Sequence, residues 1–348
     1  MSDRDFPHLI AMESVFAKTP EQLVSLLNLD KLFQGKQIYK WLCRSVSSFE
    51  EMTDLPKSVR QRLCAERSSV FSTEVTGFQK DDDGSVKLAI RLEDGCIVET
   101  VLLTDSEGQF TACLSSQVGC AMGCRFCRTG TLGLSRNLKS SEIIEQFAHL
   151  QQKAPKKISH VVFMGMGEPM ANLPSVTEAI RFLHDPDGTG LSYRRITVST
   201  CGVATGIKAL AESNLPVKLA VSLVAATDTK RSQLMPVNRT FPLSVLRNAL
   251  YNFQKIHNRR FTFEYCMIHN WNISENDAQN LASFCRGLEV IVNLIPFNPC
   301  PELDFETPSE AEIRAFTHEL EKRKVAYTIR VSRGRSILGA CGQLAAKL

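Results

Sequence analysis

Apolar positions recur at helical spacing through residues 15 to 67. PEQLVSLLNLDKLF and GKQIYKWLCRSVSSFEEM each carry one apolar stripe, and DLPKSVRQRLCAE restarts the pattern after Pro56. From about residue 70 the period shortens to two. VKLAIRLEDGCIVETVLL alternates, and its Asp94-Gly95 step is a hairpin signal. The pattern predicts a helical unit over 1–69 and a small β region over 70–112.

Beyond residue 112 strand-like runs alternate with helical ones. ACLSS, HVVFMG, RRITVST, VKLAVSL, FTFEYCMI, VIVNLIPF and AYTIRV read as strands. SEIIEQFAHLQQ, SVTEAIRFLH, LSVLRNALYNFQKI, ENDAQNLASFC and EAEIRAFTHELEKR read as amphipathic helices, the first with Ile143, Ile144, Phe147 and Leu150 on one face. Such alternation means parallel strands joined by crossover helices. Six or so units are too few for a full eight-stranded barrel, and they fit either a partial barrel or an open doubly wound sheet. In both, ligands gather at the carboxyl ends of the strands. A group of cysteines follows the first strand, GMGEP the second, STCG the third, SLVAA the fourth and NPCPE the sixth. These motifs therefore face one rim.

At 348 residues, 43% hydrophobic and 22% charged, the chain has ordinary globular composition, which excludes disorder and collagen-like structure. It has no apolar run of eighteen residues, and MSDRDFPHLIAMES lacks the pattern of a secretory signal. A soluble, cytoplasmic protein without membrane contact is expected, and a monomer, since no heptad stripe stands out. A formal charge of +4 does not itself identify a partner. Basic groups at Lys153, Lys156 and Lys157, Arg194 and Arg195, Arg259 and Arg260, Lys322 to Lys324, and Arg330, Arg333 and Arg335 could form a phosphate-binding surface if they converge.

Twelve cysteines without an export signal point to thiols that bind metal, do chemistry or sit in a core. Cys43, Cys64, Cys96, Cys201, Cys266, Cys285 and Cys300 read as small buried hydrophobes. Four others fall in CLSSQVGCAMGCRFCRTGT, with Cys120, Cys124 and Cys127 spaced C-x-x-x-C-x-x-C and Cys113 seven residues ahead. A structural zinc wants a fourth Cys or His at finger-like spacing, and no second C-x-x-C pair exists downstream. A four-iron cluster held by only three cysteines keeps one iron open for a substrate.

The spacing resembles the radical S-adenosylmethionine (SAM) signature. VETVLL (98–103), CLSSQVGCAMGCRFCRTGTLGLSRNL (113–138), FMGMGEPMAN (163–172), RRITVSTCG (194–202), LMPVN (234–238), NLIPFNP (293–299) and ACGQL (340–344) resemble, in order, the motifs of the RlmN/Cfr family of RNA adenosine methyltransferases. The likeness extends to the N-terminal helical segment. It implies an α/β fold, a partial (βα)6-type radical SAM barrel over 113–348 that ends in a catalytic cysteine loop. The helical region over 1–69 becomes an accessory, RNA-binding domain.

By this resemblance Cys120, Cys124 and Cys127 ligate a 4Fe-4S cluster. Gly167 and Glu168 take the amino group of SAM, and Ser199, Ser222, Leu223, Val224 and Asn298 occupy its other contact positions. One SAM methylates Cys341, and a second yields the radical that activates the S-methyl group, so two are used per turnover. The resulting carbon radical adds to adenine, Glu99 accepts the ring proton, and Cys113 attacks the sulfur of Cys341 to release the base through a transient disulfide. The implied partners are 23S rRNA, tRNA beside the anticodon, and an electron donor such as flavodoxin or ferredoxin.

Two departures from the family pattern bear on this reading. Val224 stands where most members have His, and RGRSILGACGQL places Ser336 where an acid is usual and Arg335 beside it. Pro169 and Pro296-Phe297 resemble the RlmN side, favouring methylation at carbon 2 of adenine over carbon 8. The Cfr-like carbon 8 reaction remains the alternative, and a non-catalytic RNA-binding protein with a structural metal a more distant one.

Overall fold

The computed structural model describes residues 13–346, so the first twelve residues of the expected helical unit and the last two of the core lie outside the described residues. Three helices, Pro20–Leu26, Leu32–Cys43 and Lys57–Glu66, form the N-terminal unit. Phe16, Leu23, Ile38, Leu42, Phe49 and Leu63 make its apolar interior.

One ten-stranded sheet organises the rest. Its strands are β1 (Glu74–Lys80), β2 (Val86–Arg91), β3 (Ile97–Thr104), β4 (Phe110–Cys113), β7 (His160–Phe163), β8 (Ile196–Thr200), β9 (Lys218–Ser222), β10 (Phe261–Met267), β11 (Val290–Pro296) and β12 (Tyr327–Ile329), adjacent in that order. Between β4 and β7 the chain forms a separate antiparallel hairpin, β5 (Gln117–Cys120) with β6 (Gly133–Asn137). The strands β1 to β4 pair antiparallel, and from β4 through β12 every pairing is parallel. The seven strands expected from alternation are all present, and β1 and β12 are the sheet's two edges. Because β3 pairs with β4, residues 70–112 extend the same sheet across position 112.

Crossover helices Ser140–Lys153, Leu173–His184, Leu243–His257, Glu275–Cys285 and Glu310–Lys322 match the periodic segments. Helix Ala204–Glu212 is an addition. It is short, and Gly206 weakens its helical signal, yet Ile207, Leu210 and Ala211 pack into the core. Short helices Asp228–Leu234 and Val237–Thr240 and the β5–β6 hairpin were likewise beyond the periodicity, since none spans two turns or a full alternating run.

The helical unit and the segment that leads out of it dock on the buried Glu145 of helix Ser140–Lys153, whose carboxylate accepts hydrogen bonds from Ser14 Oγ (2.6 Å), Ser72 N (3.0 Å) and Thr73 N (2.9 Å). Tyr39 also donates to Asp185 at 2.6 Å. Among the described residues no helix is long and apolar enough to cross a membrane.

Candidate active site

The carboxyl ends of the parallel strands surround a cleft. Cys120 reaches it from the end of β5, and Cys124 and Cys127 from the loop that follows. That loop is held at both ends: Arg125 N donates to Leu234 O (2.9 Å) and Arg128 N to Gly342 O (2.8 Å). Burial pushes the Cys120 thiol up to about 12 and the Cys127 thiol to about 11, and the neighbouring thiols add to both. Holding three thiolates there calls for a positive group.

The donor set fits an iron–sulfur cluster better than a single ion. Cys120, Cys124 and Cys127 bring three thiols from one short stretch of chain to one cleft. A single zinc draws all its sulfurs to about 2.3 Å, whereas a cluster spreads its thiolates over several irons.

Gly167 and Glu168 line the same cleft as the thiols. Gly167 sits at φ +100°, and a Cβ there would lie 2.6 Å from Cβ of Gln117, so only glycine closes this turn. Glu168 is 3% exposed, and its carboxylate accepts N–H bonds from Met170 (3.0 Å) and Cys201 (2.8 Å). Burial raises its pKa, and the Cys201 hydrogen bonds oppose the rise. A buried carboxylate of this kind is suited to an ammonium ligand.

Ser199, Ser222, Val224 and Asn298 also line the cleft; Leu223 does not, since its side chain is buried in the core. Val224 has φ +60°, which is rare for a β-branched residue, and its carbonyl accepts a hydrogen bond from Asn272 Nδ2 at 2.7 Å. Asn298 ties the ACGQL loop down: its Nδ2 donates to Cys341 O (3.2 Å) and its Oδ1 accepts from Arg335 Nε (3.0 Å). Gln343 Nε2 adds a bond to Pro299 O at 2.7 Å. Asp81 and Asp83, on the β1–β2 turn, accept the N–H groups of Ser336 (3.0 Å) and Gly334 (2.8 Å). Two acids from the β1–β2 turn thus reach the backbone of the segment in which Ser336 stands where an acid is usual.

Cys341 belongs to two cavities. It lines the thiol-bearing cleft and also a much narrower crevice lined by Cys113, Arg330 and Arg333. Burial pushes the Cys113 thiol up to about 12, with the Cys341 thiol adding to the rise and Arg330 opposing it. Of the basic residues in the sequence, Arg330, Arg333 and Arg335 gather at this loop. Others are spent locally, as where Lys157 Nζ caps Thr189 O (2.7 Å) and Lys322 pairs with Glu319 (2.6 Å).

Glu99 lies elsewhere. Its carboxylate pairs with Lys87 at 2.9 Å and accepts the Ala345 N–H at 2.8 Å, on a groove separate from both cavities.

Sequence patterning missed several residues at the cleft. Cys201 and Cys266, read as inert core thiols, both line it, as does the buried Glu264, which accepts from Asn293 Nδ2 at 2.7 Å. The available signal was position, since Cys201 follows β8 and Cys266 lies near the carboxyl end of β10.

Comparison with known proteins agrees with this geometry. Residues 114–282 match the Radical SAM superfamily, and residues 23–68 match the ribosomal RNA large subunit methyltransferase N-terminal domain. The chain is 46% identical over 325 residues to a probable dual-specificity RNA methyltransferase RlmN of Treponema denticola, covering 93% of each. It is 42% identical to the dual-specificity RNA methyltransferase RlmN of Anaeromyxobacter dehalogenans, covering 94% of this chain and 90% of that protein. A crystal structure of a radical SAM methyltransferase from Sphaerobacter thermophilus superposes with a TM-score of 0.90 at 38% identity, covering 96% of this chain and 99% of that one.

Proposed function

Because the chain belongs to the RlmN family of radical SAM RNA methyltransferases, we propose that it methylates carbon 2 of an adenosine in 23S rRNA and of the tRNA adenosine beside the anticodon. The observation that carries this reading is the position of Cys341 in the wall between two cavities, with the three clustered thiols on one side and Cys113 on the other.

Cys120, Cys124 and Cys127 are the residues that would hold a 4Fe-4S cluster, and Gly167, Glu168, Ser199, Ser222, Val224 and Asn298 those that would hold SAM, two molecules being used per turnover. When bound, cluster and SAM supply a 5′-deoxyadenosyl radical. Everything else falls to the chain. Cys341 accepts a methyl group on Sγ, loses a hydrogen atom from it, and joins adenine through the methylene carbon. Glu99 takes the ring proton, which requires it to leave Lys87 and the Ala345 N–H and to turn out of its separate groove towards the cleft. The unpaired electron of the adduct would return to the cluster as that proton leaves; Cys113 then attacks Cys341 Sγ, closing a disulfide and freeing the base, whose methylene takes up a proton, and the electron donor reopens the disulfide.

The RNA grip in this reading is the helical unit over 1–69 with the β region over 70–112, ahead of the catalytic core over 113–348. Its support is the match of residues 23–68 to an N-terminal domain of ribosomal RNA methyltransferases. A target base inside folded RNA must leave its stack to meet a recessed cysteine. The protein works in the cytoplasm as a monomer, with flavodoxin or ferredoxin as the electron source. Pro169 and Pro296-Phe297 favour carbon 2.

The test is mass spectrometry of nucleosides from 23S rRNA and tRNA after anaerobic incubation of iron-reconstituted protein with SAM and a reductant. Carbon 2 methyladenosine, lost in Cys341→Ala, is expected. Carbon 8 methyladenosine would overturn the regiochemistry, and an unmodified RNA beside accumulating 5′-deoxyadenosine would overturn the substrate.

A further inference from the structure

Arg231 is completely buried, at 0% exposure, one layer behind the cleft. Its Nε donates to Leu223 O (3.2 Å), Nη1 to Asn238 Oδ1 (3.0 Å), and Nη2 to Cys201 O (2.5 Å) and Ser222 O (3.2 Å). All four acceptors are neutral. A buried cation satisfied only by neutral oxygens is expensive, and it is kept where a nearby negative charge needs it.

The surrounding chain makes room for this group. Gly202 has φ +107°, and a Cβ there would lie 2.9 Å from Arg231 Nη2. The helix that carries Arg231, Asp228–Leu234, is also the one on which the cysteine loop docks through Arg125 N. Cys124, Cys201, Leu234 and Met235 pack together as one buried group. Cys201 stands at the centre: its carbonyl takes the guanidinium, its N–H serves Glu168, and its side chain packs with Cys124. Desolvation holds the guanidinium below its ordinary pKa, while Cys201, Cys124 and Asp228 oppose that pull.

We propose that Arg231 is a positioning residue whose fixed buried charge is the counter-ion of the iron–sulfur cluster and favours its reduced state; this rests on the reading that Cys120, Cys124 and Cys127 hold that cluster. Three thiolates leave a four-iron cluster net negative, and reduction adds one more negative charge. A positive charge in a poorly screened interior stabilises the reduced form more than the oxidised one, and so raises the reduction potential. The same guanidinium fixes the carbonyls of Cys201, Ser222 and Leu223, so charge and hydrogen bonding must be separated experimentally.

The experiment reconstitutes the full chain and its Arg231→Gln, Arg231→Lys and Asp228→Asn variants, measures iron and sulfide content, and titrates the cluster potentiometrically by electron paramagnetic resonance. At the wild-type midpoint, Arg231→Gln should lower the ratio of reduced to oxidised cluster at least tenfold, a shift of about 59 mV for one electron. Arg231→Lys, which keeps the charge, should stay within about threefold, and Asp228→Asn, which removes a partly screened opposing charge, should shift the ratio upward by less. An unchanged midpoint in Arg231→Gln at full iron content overturns the proposal. If Arg231→Gln takes up no iron, Asp228→Asn decides, and an unchanged or lowered midpoint there overturns it. An unsubstituted chain that assembles no cluster sinks the cluster reading itself.

Discussion

Lys87 Nζ lies 2.9 Å from Glu99 Oε1, and both side chains are 9% exposed. They sit on neighbouring strands β2 and β3, two residues out of register and on the same face, since Glu99 pairs with Ala89. The ammonium sits against a carboxylate that is almost wholly removed from water. Lys87→Met leaves that charge unpaired and should cost about 3–5 kcal/mol, whereas Lys87→Met with Glu99→Leu should cost much less than the two single changes together. Urea unfolding of all three variants checks this, and additive losses would mean that the pair is not coupled.

Cys113 and Cys341 act at different steps in this account, so their variants should fail differently. Cys341→Ala should form no covalent RNA–protein species. Cys113→Ala should accumulate one, stable to denaturing electrophoresis, because release needs the second thiol. Equal absence of adduct in both variants would contradict the assignment.

Release should also depend steeply on pH. With the Cys113 thiol pushed up to about 12, only a small fraction is thiolate at neutral pH, and that fraction grows about tenfold per pH unit below the pKa. Single-turnover release of methylated RNA should therefore accelerate with pH from 7 to 9, whereas a flat profile would show that thiolate formation does not limit it.

His149 gives stability its own pH dependence. It is 6% exposed, stacked on Phe71 with ring centroids 4.0 Å apart, and lies 3.0 Å from Thr73 Oγ1. Burial, with Lys153 adding, lowers its pKa to about 4. The unfolded chain binds this proton near pH 6.5 and the folded chain only near 4, so stability is lost as pH falls through that window, by roughly 3 kcal/mol. Glu145 beside it has its pKa raised by burial and works in the opposite direction. Urea midpoints at pH 7, 6 and 5 should fall in the wild type and flatten, or reverse, in His149→Gln.

The sequence reading was strongest where periodicity is long. All seven parallel strands and five crossover helices lie where their apolar pattern put them, since each buries a face wide enough to leave a repeat. It failed where the decisive partner is distant in sequence. Lys87 and Glu99 meet across a hairpin, and Arg231 in DTKRSQL looks like any helical surface arginine until the turns at Cys201 and Ser222 close over it. Cys201 and Cys266, at the carboxyl ends of strands, face the cleft, and Cys285, at the end of a helix, does not; strand-end position was their one signal in the sequence. Thiol type is visible in the chain, but the side it faces is set by packing.

Val224 is open to a direct test. It holds φ +60° at 1% exposure, and relieving a strained position of this kind is worth about 1 kcal/mol. Val224→His substitutes a residue better tolerated in that region and adds a polar group to the cleft. SAM should bind several-fold tighter by equilibrium dialysis, in line with one added hydrogen bond. Weaker binding would mean that the apolar contact of Val224 matters more.

The central claim is that the methyl carbon passes through Cys341. Protein whose Cys341 has first been methylated from trideuteromethyl SAM, then freed of that SAM, is given unlabelled SAM, reductant and RNA for one turnover, and the product nucleoside is weighed. The account predicts an adenosine methyl group carrying two deuterium atoms, the third having left with the abstracted hydrogen. An unlabelled methyl group on the first-turnover product would contradict it.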